Sequence, residues 1–129
     1  MKANGFNHIG INIKRLEKSL WFYRDVLGAK EQNTVKMPDC TIVYLTLENG
    51  GRIELFYHGE KNERIARDDT RVGYRHIAID VDDVDAWADH LRENGVSIVL
   101  EPVDIPELGV RVVLFEDPDG TVLEFCRPL

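Results

Sequence analysis

The chain contains an internal repeat, and this repeat limits the folds that it can adopt more than any other feature of the sequence. The segment Asn7–Ile13 (NHIGINI) is similar to Arg75–Val81 (RHIAIDV), and both alternate apolar, mostly β-branched residues with other residues. A period of two residues is typical of a β-strand with one buried face. The separation of His8 and His76, 76 − 8 = 68 residues, gives the length of the repeat. The chain is therefore predicted to be two copies of one structural unit.

Each of these strands is followed by the pattern of an amphipathic helix. Apolar residues recur at spacings of three and four, which places them on one side of a helix. Gly28 and Gly95 come directly after or close to the end of the two patterns, where glycine commonly ends a helix. Asp82 or Asp83 is the predicted N-cap of the second helix. The apolar positions are Leu16, Leu20, Tyr23 and Leu27 in the first repeat and Val84, Trp87, Ala88 and Leu91 in the second.

Three more strands are predicted after each helix, and glycine-containing turns connect the last two strands of each repeat. Residues 49–51 (NGG) and 117–120 (DPDG) are turn sequences typical of β-hairpins. The predicted fold class is therefore α+β, with two tandem βαβββ modules whose pairing builds one continuous sheet structure. The strands are expected at about Ala29–Lys36, Cys40–Glu48 and Arg52–His58 in the first module, and at about Val96–Glu101, Val110–Glu116 and Thr121–Arg127 in the second.

The chain is predicted to form a single domain, residues 1–129, because neither module alone has enough apolar residues for a stable core. Module one is expected at about residues 1–58 and module two at about residues 74–129. The segment between them, about residues 59–73, is rich in charge and is predicted to be a linker. Its charged residues are Glu60, Lys61, Glu63, Arg64, Arg67, Asp68, Asp69 and Arg71.

Charge and hydropathy exclude several classes of function. The net charge of −7 argues against a nucleic-acid partner, which would favour a basic surface. No apolar run is long enough for a membrane-spanning helix, and the first residues do not resemble a secretory leader. A cytoplasmic location without a membrane partner is therefore expected. Cys40 and Cys126 form no CxxC pair and are predicted to be small residues within strands.

Four residues stand at corresponding places in the two modules and face away from the apolar side of their strands. The histidines are 76 − 8 = 68 residues apart, and the glutamates are 124 − 54 = 70 residues apart. Two carboxylates on a dry sheet face would each cost several kcal/mol unless a cation neutralised them. Imidazole and carboxylate groups also suit a six-coordinate ion that leaves two positions for water or substrate. We therefore predict that His8, Glu54, His76 and Glu124 hold one divalent metal ion.

These residues carry a resemblance to the vicinal-oxygen-chelate superfamily, the group of glyoxalases, bleomycin-resistance proteins and ring-cleaving dioxygenases. The resemblance covers nearly the whole chain and implies that each βαβββ module curls into a half-barrel cup around the metal. It also implies a homodimer, in which a site takes its ligands from one chain or from both. The matching segments are His8–Ile11 (HIGI), Leu20–Tyr23 (LWFY) through Gly28, Arg75–Ala78 (RHIA), Phe115–Gly120 (FEDPDG) and Leu123–Phe125 (LEF).

Within this superfamily the ligand set His, Glu, His, Glu resembles that of bacterial glyoxalase I. The implied activity is that of a metal-dependent lyase or isomerase, which converts the hemithioacetal of a 2-oxoaldehyde such as methylglyoxal into a 2-hydroxyacyl thioester. The proton moves between adjacent carbons through an ene-diolate. Ni²⁺ or Zn²⁺ is favoured, Mn²⁺, Co²⁺ and Fe²⁺ are alternatives, and no organic cofactor is expected. The resemblance points to Glu124 as the base, although the sequence does not separate it from Glu54.

Other activities of the superfamily remain alternatives: an acyl-CoA or hydroxy-acid epimerase, a ring-cleaving dioxygenase, or a non-catalytic small-molecule binding protein. Epimerases resemble this chain but usually have Gln where Glu54 stands. Ring-cleaving dioxygenases and fosfomycin-resistance enzymes use two His and one Glu, and bleomycin-binding members lack the ligands. The full ligand set therefore favours an enzyme.

One departure from bacterial glyoxalase I concerns the residues that help to hold glutathione there. These are an Arg four residues after the first ligand and an Asn four residues after the second, and the positions are occupied here by Asn12 and His58. Asn12 and His58 are therefore predicted substrate-binding residues. The identity of the thiol stays open.

Overall fold

Backbone hydrogen bonding confirms the two βαβββ modules. The structure, a computed structural model, describes residues 1–60, 63 and 66–129. In the described part of the chain, no helix is both long and apolar enough to cross a membrane. The first module contains β1 (Ile9–Ile13), α1 (Leu16–Leu20), a π-helical segment (Trp21–Val26), β2 (Lys30–Lys36), β3 (Thr41–Thr46) and β4 (Arg52–Tyr57). The second contains β5 (Ile77–Asp80), α2 (Val84–Glu93), β6 (Ile98–Ile105), β7 (Val110–Glu116) and β8 (Val122–Pro128).

The strands form two four-stranded sheets rather than the one continuous sheet predicted from the sequence. The strand order is β1-β4-β3-β2 in one sheet and β5-β8-β7-β6 in the other. β1 runs parallel to β4 and β5 runs parallel to β8, whereas the other neighbouring strands are antiparallel. The first strand of each module therefore lies beside the last one. This pairing sets Gly10 opposite Glu54 and Ala78 opposite Glu124.

The chain divides into two compact units, Met1–Glu63 and Arg64–Leu129. The boundary between the units falls within the predicted linker, residues 59–73. Lys61, Asn62, Arg64 and Ile65 of that linker lie outside the described residues. The assignment of residues 1–129 to a single domain stays a prediction.

The strand β6 differs most from its predicted bounds. It continues to Ile105, whereas the sequence predicted an end near Glu101. Proline has no N–H for a sheet ladder, so Pro102 is tolerated only at an edge or a bulge. β6 is the edge strand of its sheet, and its register with β7 shifts between Leu100 and Val103. Both conditions let the strand continue past the proline.

The first helix is not the regular amphipathic helix that the sequence predicts. After α1 it continues as a π-helix from Trp21 to Val26. The N–H of Leu27 donates to the carbonyl oxygen of Phe22 at 2.9 Å, which is the i→i−5 bond of a π-helix. The wider turn buries Phe22 and Val26 together with Tyr23, which was predicted to be buried. A 3.6-residue period could not identify all three as core residues.

The second helix, α2, confirms the predicted position and cap. The side chain of Asp83 accepts a hydrogen bond from the N–H of Ala86 at 3.0 Å, so Asp83 rather than Asp82 is the N-cap. Trp87 on α2 contacts the ring of Phe125 in β8, with 4.7 Å between the ring centroids. The helix therefore covers the face of β8 that carries Phe125. Strand alternation then places Glu124 on the opposite face, as predicted.

Both cysteines are free and partly buried. Cys126 lies in β8, as predicted, and Cys40 immediately precedes β3. Burial raises the pKa of both thiols above the usual value. Because the thiolate is the form that binds metals and attacks electrophiles, neither cysteine has the environment of a reactive thiol.

Ser19 gives a stability prediction, because its hydroxyl group is buried in α1. The residue is 0% exposed, and its Oγ has no hydrogen-bond partner among the described residues. An unsatisfied buried polar group costs about 1–3 kcal/mol, and alanine is also the better helix former. We expect Ser19→Ala to raise the free energy of unfolding in urea by about 1 kcal/mol. The exposed Ser97→Ala is the control, and a loss of stability in Ser19→Ala would contradict the prediction.

Candidate metal centre

The parallel pairing of β1 with β4 brings His8 next to Glu54. β1 begins at Ile9, so His8 lies at the entrance to the strand and not within it. His8 Nε2 lies 3.4 Å from Glu54 Oε2. Glu54 is only 5% exposed, and its neighbours Ile53 and Leu55 are buried as well. Both faces of β4 are therefore covered at this point, and the carboxylate needs a partner.

Arg52 provides a counter-charge for this buried carboxylate. Its Nη2 lies 3.0 Å from Glu54 Oε1 and donates to Asn7 Oδ1 at 2.7 Å. Its guanidinium group lies over the ring of Tyr44, 5.3 Å from the centroid. Asn7 Oδ1 also lies 2.8 Å from His8 Nδ1. We call these side chains, Asn7, His8, Tyr44, Arg52 and Glu54, the Arg52 network.

The Arg52 network corrects the argument made from the sequence. Arg52 already neutralises Glu54, so the burial of this carboxylate does not by itself require a metal ion. Neither Arg52 nor Asn7 was predicted as a site residue. The signal for Arg52 was present, because strand alternation places a residue two positions before Glu54 on the same face. No pattern in the sequence indicated Asn7 as a site residue, because its contact with Arg52 joins residues 45 positions apart.

The second module repeats the histidine–glutamate pair in a different setting. β5 begins at Ile77, directly after His76, and lies parallel to β8. His76 Nε2 lies 3.0 Å from Glu124 Oε2, and the Glu124 side chain is 16% exposed. His76 Nδ1 is buried and has no hydrogen-bond partner within the residues that the structure describes. At the position equivalent to Arg52, two residues before the glutamate, stands the buried Val122.

Arg67 and Asp69, from the predicted linker, place further charge near His76. Arg67 donates to Asp69 through Nε and Nη2 at 2.9 and 2.8 Å. This contact holds the pKa of Asp69 below its usual value against the opposing effect of burial, and the charges of Arg67, Arg75 and His76 contribute. Asp69 is therefore an anion at neutral pH. Asp69 was not among the site residues predicted from the sequence, where it was assigned only to the charged linker.

Each histidine–glutamate pair offers the donor atoms that a divalent ion prefers, one imidazole nitrogen and one carboxylate oxygen. Bonds of about 2.1 Å to one ion would set these two atoms about 3.0 Å apart at a right angle and about 3.4 Å apart at a tetrahedral angle. The observed separations of 3.4 Å and 3.0 Å fall in this range. The 3.0 Å separation of His76 Nε2 and Glu124 Oε2 also lies in the range of a hydrogen bond, whereas 3.4 Å is longer than that range. The residues present therefore fit a metal ion.

The structure brings together His8 with Glu54 and His76 with Glu124, one pair in each unit. Among residues 1–60, 63 and 66–129, no group of three or more His, Cys, Asp or Glu side chains could hold a metal ion. The shared site of all four residues stays a prediction.

The two positions predicted to bind substrate contact each other. His58 Nε2 lies 3.2 Å from Asn12 Oδ1, and both residues are exposed. Asn12 belongs to β1, and His58 follows the last residue of β4. They therefore lie on the strand pair that carries His8 and Glu54. Their role in substrate binding stays a prediction.

An open cavity of about 610 Å³ in the first unit borders the Arg52 network. Arg52 and Tyr44 line this cavity together with Lys30, Gln32 and Thr46. The volume is within the range of small-molecule sites, about 300–1,000 Å³. The first unit therefore has a concave surface beside its histidine–glutamate pair that could take part of a small ligand.

Comparison with known proteins identifies the family of this chain. The profile of the glyoxalase/bleomycin resistance protein/dioxygenase superfamily matches residues 5–125. The chain is 32% identical over 125 residues to the lactoylglutathione lyase of Haemophilus influenzae, and the aligned region covers 93% of this chain and 90% of that protein. It is 37% identical over 122 residues to the metallothiol transferase FosB of Staphylococcus haemolyticus, and this aligned region covers 93% of this chain and 81% of that protein.

A solved structure shows the same fold. The glyoxylase/bleomycin resistance protein/dioxygenase domain from Frankia sp. EAN1pec superposes with a TM-score of 0.86 at 21% sequence identity, over 99% of this chain and 100% of that one. The repeated βαβββ module and the profile match over nearly the whole sequence agree with each other. This chain belongs to the glyoxalase/bleomycin resistance protein/dioxygenase superfamily.

Proposed function

We propose that this chain is a metal-dependent lyase of the glyoxalase I type, acting on the hemithioacetal of a 2-oxoaldehyde and a thiol. The observation that carries the proposal is the repeated pair, since each module sets one histidine against one glutamate at equivalent positions of its sheet. Similarity to a lactoylglutathione lyase supports the reaction type. The ligands of one divalent ion, Ni²⁺ or Zn²⁺ by preference, would be His8, Glu54, His76 and Glu124.

The proposed ligand set draws one pair from each module, either within one chain or across a homodimer. When bound, the ion would supply a Lewis acid for a substrate with oxygen atoms on adjacent carbons. His8 and His76 contribute neutral nitrogen donors, and Arg52 holds the Glu54 carboxylate in place. Light scattering of the purified protein would establish whether it is a dimer.

The proposed base is Glu124. Its carboxylate takes the proton from the carbon that bears the sulfur atom and returns it to the neighbouring carbonyl carbon. One C–H bond breaks and another forms, and the hydroxyl proton passes from the oxygen on the first carbon to the oxygen on the second, so the product is an isomer of the substrate and no oxidant is consumed. The open cavity lined by Lys30, Gln32 and Thr46 would accept a polar part of the substrate. The whole reaction needs one base, one ion and no organic cofactor.

The test begins with the metal content of the purified protein before and after incubation with Ni²⁺, Zn²⁺, Mn²⁺, Co²⁺ and Fe²⁺. We expect about one tightly bound ion per chain. The loaded protein is then assayed for thioester formation from methylglyoxal with glutathione, cysteine and coenzyme A. No ion above background would contradict the proposal.

Other products in the same assays would identify another activity of the superfamily. Exchange of an α-proton of an acyl thioester with D₂O, without thioester formation from methylglyoxal, would indicate an epimerase. Oxygen consumption with an aromatic diol would indicate a dioxygenase. Transfer of a thiol to an acceptor other than the 2-oxoaldehyde would indicate an activity like that of the metallothiol transferase relative. Binding of a small molecule without any metal requirement would indicate a non-catalytic binding protein.

The Asn12–His58 contact gives a prediction about the thiol. Removing the imidazole with His58→Ala should weaken binding of the thiol part of the substrate by about 1 kcal/mol, which is roughly a fivefold increase in KM. The metal content should not change, because His58 is not a proposed ligand. His90→Ala, on α2, is the control. If His58→Ala lost the metal instead, the assignment to substrate binding would be wrong.

A further inference from the structure

The amide of Asn7 has only one orientation that is compatible with Arg52. A guanidinium group donates hydrogen bonds and accepts none. The Asn7 atom that lies 2.7 Å from Arg52 Nη2 must therefore be the oxygen, Oδ1. The same oxygen lies 2.8 Å from His8 Nδ1. Because an amide oxygen carries no proton, the hydrogen of this second bond must belong to the imidazole.

This chain of contacts fixes the tautomer of His8. A neutral imidazole has one N–H, and here it is on Nδ1, so Nε2 keeps its lone pair. Nε2 is the atom that faces Glu54 Oε2 at 3.4 Å. Arg52 thus acts on the donor atom of His8 through Asn7, without touching the ring.

The same guanidinium nitrogen also fixes Glu54. Nη2 donates its hydrogen bond to Asn7 Oδ1 and forms an ion pair with Glu54, 3.0 Å from Oε1. With Oε1 engaged, Oε2 is the oxygen directed at His8. A lone pair on nitrogen and a carboxylate oxygen then face each other, and this arrangement favours the binding of a cation between them.

The second module has no counterpart of this arrangement in its sequence. The residue before His76 is Arg75, where the first module has Asn7, and the residue two positions before Glu124 is Val122, where it has Arg52. Consistent with this, His76 Nδ1 has no hydrogen-bond partner among the described residues. Both modules therefore contain a histidine–glutamate pair, but only the pair of the first module has an asparagine and an arginine at these positions to orient it.

We infer that Arg52 is a positioning residue for the proposed metal centre. It sets the tautomer of His8 through Asn7, and it holds one oxygen of Glu54. Glu54 is therefore the fixed carboxylate of the centre, and Glu124 is the carboxylate that remains free to move a proton. The first half of this inference concerns the metal-free protein and is independent of the reaction. The consequence for catalysis rests on the proposed function.

The first experiment measures the tautomer of His8 in the full-length, metal-free protein, by long-range ¹H–¹⁵N correlation of ¹⁵N-labelled histidine rings at mildly alkaline pH. Wild-type His8 should show the Nδ1–H form. Arg52→Met should shift His8 toward the Nε2–H form, which free imidazole side chains prefer, because the Asn7 amide is then free to turn over. Arg52→Lys should retain the Nδ1–H form, since an ammonium group also only donates.

Two controls accompany this measurement. Arg24→Met removes an arginine of the same unit that pairs with Asp25 and Glu31 on the surface, and it should leave the His8 signals unchanged. The His76 signals in the same spectra report whether a change is confined to the first module. An Nδ1–H form that persists in Arg52→Met, or an Nε2–H form in the wild type, would overturn the inference.

The second experiment measures Ni²⁺ affinity by calorimetry in Asn7→Leu. This variant removes the oxygen that orients His8 but keeps the charge of Arg52, which by itself repels a cation. Loss of an outer partner of a ligating histidine typically lowers metal affinity 10- to 100-fold, and we expect a decrease of about that size. An unchanged affinity would overturn the positioning role. If the wild type binds no metal at all, the proposed function fails while the tautomer measurement still tests Arg52.

Discussion

Replacement of Glu124 by glutamine is expected to reduce turnover by about 10²- to 10⁴-fold, the usual contribution of a positioned general base. Glutamine has the same shape and keeps one oxygen, so much of the metal should stay bound. Its amide cannot accept the substrate proton at neutral pH, so the chemical step is lost. The measurement is kcat for thioester formation from the methylglyoxal hemithioacetal, together with the metal content of the same sample by elemental analysis.

Two further variants make this result specific. Glu101→Gln removes an exposed carboxylate of the edge strand β6 and should leave kcat unchanged. Glu54→Gln should weaken the contact with Arg52 and the hold on the metal, so its main effect is expected on metal content. Full activity in Glu124→Gln would rule out Glu124 as the base. Loss of activity only in Glu54→Gln would transfer that role to Glu54.

Replacement of His76 by alanine is expected to lower metal affinity by more than about 10²-fold, beyond the effect of losing an outer partner. The reason is that the imidazole is one of four proposed ligands, and its Nε2 lies 3.0 Å from the Glu124 carboxylate that would share the ion. Equilibrium dialysis against Ni²⁺ and Zn²⁺ measures the stoichiometry and the affinity. Circular dichroism of the same variant establishes that the fold is retained.

His90→Ala is the matched control, because His90 lies on α2 and its ring contacts Trp87 at a centroid distance of 5.4 Å. It should bind metal as the wild type does. If His76→Ala had the same stoichiometry and affinity as the wild type, His76 would not be a ligand, and the site of four residues would have to be abandoned. Loss of metal from His8→Ala alone would then restrict the site to the first unit.

The Arg52 network changes how the two glutamates are regarded. By sequence they are equivalent residues of a repeated module, and only the resemblance to glyoxalase I favours Glu124 as the base. In the structure Glu54 is 5% exposed and contacts Arg52, whereas the corresponding neighbour of Glu124 is Val122. A carboxylate that contacts a cation through one oxygen is a better fixed ligand, and one without that cation is a better base. This difference supports the proposed division of roles.

Much of the fold could be predicted because its signals are local. The strand pattern around Ile11 and Ile79, the helix with its cap at Asp83, and the hairpin turns each depend on residues close together in the chain. The two features that the sequence did not predict have a different origin. The π-helix of Trp21–Val26 depends on how the core accepts two adjacent aromatic residues, and the extension of β6 past Pro102 depends on its edge position. Neither is encoded in a short window of sequence.

The candidate site divides in the same way. The repeat and strand alternation together predicted the site residues His8, Glu54, His76 and Glu124, because duplication places equivalent residues at equivalent spacings and alternation sets their face. The sequence by itself therefore determined the two modules and which histidines and glutamates occupy equivalent positions in them. Only the tertiary structure decided the surroundings of each pair. Parallel pairing of the first and last strands brought Asn7 to Arg52 across 45 residues, and a contact at that separation is set by packing and leaves no periodic trace in the sequence.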